Sequence, residues 1–170
     1  ISHLLGEMFV GQARAHGFDA VSIRPTNGYG APAHIGANCW MLALNDFCRN
    51  AVNEGRIVLA TAGTQQRDFV SIGDIIQAIN ILLEMDSRPA PAYNVAGDNL
   101  LSIRDLAERV AKVANRDFGR KIELNVPAST GLAASRWIPY SCERIKRLGY
   151  RPSDRIDESA RELLQMLGWK

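Results

Sequence analysis

Apolar residues along this chain fall into short periodic runs separated by glycine and proline. Leu4, Leu5, Met8, Phe9 and Ala13 recur at three- and four-residue intervals, the spacing of one helix face, and predict a helix over 2–15. His16-Gly17 closes it, with glycine where helices often turn left-handed. Residues 19–23 (Asp-Ala-Val-Ser-Ile) read as a short strand. The following segment, 24–32, holds Pro25, Gly28, Gly30 and Pro32 and predicts an irregular loop. A second helix is expected over 38–53, with Trp40, Met41, Leu44, Phe47 and Ala51 on one side. Strands are expected at 56–60 and 68–72, around a turn at Gly63-Thr64, and then a helix at 74–85 with Ile75, Ile76, Ile79, Leu82 and Leu83 facing inward. Pro89 and Pro91 precede a strand at 92–96. Ser102-Ile103-Arg104-Asp105 has the capping-box pattern and opens a helix to about Asn115. A strand at 121–124 and two helices, 141–148 and 157–167, complete the chain, broken by Gly149-Tyr150-Arg151-Pro152.

Strands alternating with helices predict a mixed α/β fold. A chain of 170 residues can bury roughly 70% of its unfolded surface and needs no staples. The net charge is only +2, with both signs interspersed, which argues against a nucleic-acid footprint. No apolar run is long enough to span a bilayer, so no membrane role is expected. Cys39, Cys48 and Cys142 fit no zinc spacing and leave one over. We read them as free thiols in a reducing cytoplasm. The first residue is Ile1, not Met, and the chain opens inside a helical pattern; the expectation is a truncated or excerpted sequence.

Four segments go beyond a generic α/β pattern: Ser2-His3-Leu4-Leu5-Gly6-Glu7; the loop from Arg24-Pro25-Thr26-Asn27 to Pro32; Gly63-Thr64-Gln65-Gln66-Arg67-Asp68-Phe69-Val70 with Asp74 close behind; and Leu148-Gly149-Tyr150-Arg151-Pro152. The loop at 24–32 follows a strand's C-terminal end, where open α/β sheets collect ligands. A guanidinium such as that of Arg67 pairs with a diphosphate through two oxygens at once. Free amides at a helix start, expected here at Asn38, suit a phosphate.

In order and spacing these segments resemble the extended short-chain dehydrogenases, the NAD-dependent epimerase/dehydratase family. That family carries Tyr-x-x-Ser-Lys-x-x-Gly-Glu, Arg-Pro-x-Asn-x-Tyr-Gly-Pro, Gly-x-x-Gln-x-Arg-Asp-Phe-Val and Leu-Gly-Trp/Tyr-x-Pro. The resemblance implies the C-terminal part of a Rossmann-type NAD(P)-binding fold plus a small mixed α/β substrate-binding domain. Residues 1–36 would supply the last helix and strand of the Rossmann-type domain, and residues 37–170 the substrate-binding region, interleaved with remaining Rossmann elements. It implies NAD or NADP, bound mainly by a missing N-terminal half, a nucleotide diphospho-sugar as substrate, and a homodimer of the complete protein formed through the opening helix.

The resemblance also implies roles for single residues, and each has a structural alternative. His3 stands at the family's lysine position; it would hydrogen-bond the nicotinamide ribose, or be merely polar. The catalytic tyrosine would precede Ile1 and is absent. An imidazole is not a dependable cation at neutral pH. The backbone at Pro25 would abut the nicotinamide. Asn27 would reach the diphosphate, or supply a turn conformation. Asn38 would contact the nucleotide-sugar, or be an ordinary helix cap. Arg67 would grip the diphosphate, or form a surface pair with Asp68. Arg136 would be a second phosphate ligand, or solvated. Asp74 reads as a helix-start residue, and Trp40, Trp137 and Tyr150 as core aromatics. The expected function is the sugar-nucleotide-binding portion of an epimerase or dehydratase, inactive on its own. The alternative is a non-catalytic binding module that has lost the redox site, which histidine in place of lysine favours.

Overall fold

A computed structural model describes residues 2–127 and 140–170. The elements run α1 (Ser2–Ala15), β1 (Ser22–Pro25), β2 (Asn27–Tyr29), α2 (Ala43–Glu54), β3 (Arg56–Val58), β4 (Gln66–Ser71), α3 (Ile72–Leu83), β5 (Ala92–Val95), β6 (Leu100–Ser102), α4 (Ile103–Phe118), β7 (Glu123–Asn125), α5 (Glu143–Lys146) and α6 (Ile156–Met166). The architecture is mixed α/β, as the alternation predicts. β1 pairs with β5, β2 with β4, and β3 with β7, all parallel; β6 adds to β4 antiparallel.

Two cores hold these strands. One joins α2, α4 and α6 with Ile57, Leu59, Phe69 and Tyr29. The other joins α3, β5 and the C-terminal segment through Val70, Ala78, Leu82, Tyr93, Val95, Ile145 and Tyr150. β4 runs between them, giving Phe69 to the first and Val70 to the second, as strand alternation requires. Each fully buried Leu or Val stabilises by roughly 1.5–3 kcal/mol. Tyr150 is core, its hydroxyl donating to the Ala96 carbonyl at 2.8 Å. The capping box forms in both directions between Ser102 and Asp105, and these bonds hold the Asp105 carboxyl below the usual range. Gly119 ends α4 at φ 62°, a conformation that costs glycine nothing.

Several boundaries differ from the sequence pattern, and tertiary pairing is the reason. The segment expected to be an irregular loop contributes the end of β1 and all of β2. Pro25 sits at the last position of β1, and Asn27–Tyr29 are drawn into register with Phe69–Ser71. The second helix begins at Ala43, not at Asn38. Residues 34–42 are held in turns by Ala37 N–H to the His34 carbonyl, Cys39 N–H to that of Ala37, and Trp40 Nε1 to that of Ile35. Met41 is exposed. On α3, Ile76 and Leu83 are also exposed; Leu82 is buried as expected, and Ala78 is buried with it. The 141–148 helix shrinks to the single turn of α5. β6, too short to show a period, was not expected.

α1 buries no side chain, and Leu4, Met8 and Phe9 are 65%, 60% and 74% exposed. A contiguous apolar face of this kind marks an association surface. The isolated chain should therefore bind a hydrophobic dye and self-associate. A dye-silent monomer by light scattering would count against that expectation.

Candidate functional site

Parallel pairing of β2 with β4 puts Asn27 opposite Phe69, and so brings Asn27 beside the strand that carries Arg67. Between them and the start of α2 lies a cleft of about 220 Å³ lined by Asn27, Met41, Leu42, Ala43, Arg67 and Phe69, among others. Arg67 is exposed, and among the described residues its guanidinium reaches only Gln65 Oε1, at 3.5 Å. Asn27 donates one amide N–H to the Asp68 carbonyl at 2.9 Å. Among the described residues its second N–H and its Oδ1 have no partner and are open to a ligand. α2 opens on Leu42, which supplies no side-chain cap, so its first amides have no side chain to satisfy them. A cation, an amide and the positive end of a helix therefore converge on one cleft. That combination accepts a phosphate or diphosphate.

A second recess, about 580 Å³, adjoins the chain on the other side of the β1–β2 junction. His3, Gly6, Glu7, Arg24 and Pro25 are among its lining residues. Glu7 and Arg24 form a two-pronged ion pair, with Nε to Oε1 at 2.7 Å. The Arg24 hydrogen bond draws the Glu7 carboxyl below its ordinary range, and Glu7 in turn raises the guanidinium's. Tyr140 donates its hydroxyl to the Arg24 carbonyl at 2.5 Å, next to Pro25, and burial pushes its pKa up.

The structure thus groups His3 with Pro25, and Asn27 with Arg67. Asn38 lies in a bend outside the cleft's lining, and the helix start that does line it is Leu42-Ala43. Arg136 and Trp137 lie outside the described residues. The surface pair of Arg67 with Asp68 does not form: along an extended strand the two side chains point to opposite faces, and Asp68 is buried, bonded to Thr26, Gly97 and Asn99. Asp74 is a buried helix-start residue whose N–H is capped by Ser71 and whose carboxylate accepts from Ser153. Sequence reasoning missed Asp68, Tyr140 and the Glu7–Arg24 pair. Glu7, Arg24 and Asp68 all lie in the quoted motifs, which was the available signal; Tyr140 had none.

A larger cavity, about 740 Å³, lies elsewhere, between Gly97–Asn99, α5 and Tyr150–Asp154. Asp98 pairs there with Lys146 at 2.5 Å, and Asp154 with Arg109, behind the lining, at 2.6 Å; Arg147 and Arg151 also line it. Among the described residues no group of three or more His, Cys, Asp or Glu is placed to hold a metal ion, and no helix is long and apolar enough to cross a membrane. Cys39, Cys48 and Cys142 are free thiols, and burial pushes Cys48 and Cys142 up.

Residues 1–96 match the NAD dependent epimerase/dehydratase family. Among curated proteins the chain is 28% identical over 132 residues to a UDP-sulfoquinovose synthase of Sulfolobus acidocaldarius, covering 75% of this chain and 33% of that protein. Among solved structures, the Bordetella bronchiseptica enzyme WbmF in complex with NAD+ and UDP superposes with a TM-score of 0.77 at 24% identity, over 95% of this chain and 50% of that one. The UDP-glucuronic acid 4-epimerase of Bacillus cereus, in complex with UDP-glucuronic acid and NAD, gives 0.75 at 18% identity, over 96% and 50%. The fold is therefore that of Rossmann-type epimerase structures, of which the chain spans about half.

Proposed function

The chain belongs to the NAD dependent epimerase/dehydratase family, and from that premise we propose that it is the portion of such an enzyme that binds a nucleotide diphospho-sugar. The convergence of Arg67, Asn27 and the uncapped start of α2 on one cleft carries this reading. Arg67 grips the diphosphate through its fork, Asn27 adds a directed amide bond, and the α2 amides face the same negative charge. The UDP in one neighbour and the UDP-glucuronic acid in another support a diphosphate ligand. Arg136 is carried forward as a second phosphate ligand, from the family likeness alone.

The NAD or NADP named with these neighbours fits this chain at one end only. The recess at His3 and Pro25 offers an imidazole for a ribose hydroxyl and an apolar ring edge for a nicotinamide. Nothing in the 170 residues provides a Gly-x-Gly-x-x-Gly or Gly-x-x-Gly-x-x-Gly cradle for a pyrophosphate. In our reading the rest of the cofactor is held by the half of the fold that these residues do not contain. When bound, the dinucleotide supplies a hydride acceptor and donor at the sugar carbon, whether the outcome is epimerisation or dehydration. The chain's own part is to hold the sugar nucleotide and place the Arg24–Pro25 backbone against the reacting end. In the complete protein we place residues 1–36 with the dinucleotide-binding part and 37–170 with the substrate-binding region. We expect a cytoplasmic homodimer joined through α1, whose apolar face is open.

A second reading, a binding module without redox chemistry, is favoured by His3 where the family carries lysine. Calorimetry on this chain tests the main proposal. A panel of UDP-, GDP-, CDP- and dTDP-sugars should include a saturable ligand, whereas NAD should give no saturable heat at micromolar concentrations. Tight NAD binding would show that the cofactor site is misplaced. No response to any sugar nucleotide would remove the substrate pocket. Restoring lysine at position 3 in the complete protein separates the two readings: a gain in turnover supports the enzyme, and none supports the module.

A further inference from the structure

Asp68 is 6% exposed, and among the described residues it forms no ion pair. Instead it collects hydrogen bonds from three segments of chain. Oδ1 accepts from the Thr26 hydroxyl at 2.6 Å and from Gly97 N–H at 2.8 Å; Oδ2 accepts from Asn99 N–H at 3.0 Å. Its backbone carbonyl accepts the Asn27 amide at 2.9 Å. A buried carboxylate is costly unless hydrogen bonds satisfy it, and here three donors meet its two oxygens. All three neighbours of the carboxylate donate, so the position calls for an acceptor-only group. An asparagine there would turn its NH2 toward at least one donor.

We propose that Asp68 is a positioning residue for the diphosphate cleft, fixing the Thr26–Asn27 corner so that the Asn27 amide is oriented before a ligand arrives. The proposal rests on the reading of Asn27 and Arg67 as ligand residues. Strand alternation gives one dipeptide two duties. Arg67 points out and supplies the cation; Asp68 points in and holds the loop that supplies the amide. The carboxylate ties that corner to the β5–β6 turn at Gly97–Asn99, so three segments distant in sequence are locked around one group. Orientation fixed in advance leaves less rotamer freedom to lose on binding.

The test uses Thr26→Val, Thr26→Ser and Asp68→Asn in the whole chain, below each variant's melting temperature. Two quantities are read: the Asn27 side-chain amide signals by NMR, and the affinity for UDP, GDP and dTDP by calorimetry. Thr26→Val and Asp68→Asn should shift and broaden the Asn27 pair and weaken diphosphate binding roughly tenfold, the factor for about 1.4 kcal/mol. Thr26→Ser, which keeps the hydroxyl, should restore both. A purely structural role would lower the melting temperature and move neither reading. Unchanged Asn27 signals in both disruptive variants overturn the proposal, as does unchanged affinity where those signals move. If Asp68→Asn does not fold, Thr26→Val carries the test alone. If the parent chain binds none of the three diphosphates, the functional reading fails, and the Asn27 signals then decide whether Asp68 fixes that side chain.

Discussion

Replacing Arg67 with alanine should weaken binding of the sugar nucleotide roughly 30- to 150-fold and leave any NAD affinity of the complete protein nearly unchanged. The magnitude follows from the bond type. A charge-assisted, bidentate contact to a diphosphate is among the stronger hydrogen-bonding arrangements, and losing it costs on the order of 2–3 kcal/mol. The structure makes the effect separable from stability. Arg67 lies exposed on β4, with a single long hydrogen bond, to Gln65, among the described residues and no share in the core. Truncating it should change stability by no more than about 0.5 kcal/mol, as for an ordinary surface site. Arg67→Lys should recover only part of the affinity, since an ammonium keeps the charge but not the fork. Calorimetry with whichever sugar nucleotide binds the parent chain decides the matter. Equal affinities for parent and alanine variant would take Arg67 out of the cleft and leave Asn27 and the α2 amides without a cation.

The second large effect is expected at Gly97, on stability. A Cβ at this position would stand 1.8 Å from the Phe69 carbonyl oxygen, 2.7 Å from its carbon and 3.0 Å from Val70 Cα. All three are backbone atoms, so no side chain can rotate away. Gly97→Ala must push the β5–β6 turn off β4, and with it the bonds from Gly97 N–H to Asp68 and from Phe69 N–H to the Asn99 carbonyl. Overpacking on this scale should cost roughly 3 kcal/mol, the upper end of its usual range. For a chain of this size that lowers the melting temperature by about 6–12 °C. Gly6→Ala is the control. It lies inside α1 with nothing within 4 Å of the added carbon, and should be neutral or stabilising by about 0.5–1 kcal/mol. A melting temperature for Gly97→Ala within about 2 °C of the parent would mean that the turn yields more easily than its geometry suggests.

What the sequence made legible depended on how local the cause was. The helices at α1, α4 and α6 were readable because their periodicity, capping box and closing glycines act within a few residues. Asn27 and Arg67 were readable as a pair through motifs, although nothing local says that they face one cleft. What brings them there is the parallel pairing of β2 with β4, across some forty residues, and that pairing also turned a segment rich in proline and glycine into strand. Asn38 was misplaced for a related reason. A helical pattern was extended back through Trp40 and Met41, where turn hydrogen bonds had the stronger claim on the backbone. The alternative pairing of Arg67 with Asp68 came from a neighbouring opposite charge, but adjacent strand residues face apart, and nothing local marked Asp68 as a buried acceptor. Its partners, Thr26, Gly97 and Asn99, are near it only in space.

The nakedness of α1 has a thermodynamic side. A helix of this length is marginal alone in water, and this one carries Gly6 and Gly11 in its interior. Its side chains are at most half-buried, and among the described residues its side-chain bonds to the rest of the chain are Glu7 to Arg24, and Arg14 to the Ala20 carbonyl and Asp19. Exposed links of this kind contribute little each. Opening α1 should therefore cost far less free energy than opening α2, α4 and α6, whose side chains close one core. Order in this helix is then a quantity that a covering surface can supply. Whatever packs on Leu4, Met8 and Phe9 gains their burial, but spends part of that gain on holding the helix formed. Because Glu7 reaches from α1 to Arg24, next to Pro25, the same coupling passes to the recess at the end of β1. Occupancy of an outer face and the firmness of an inner site become two readings of one equilibrium.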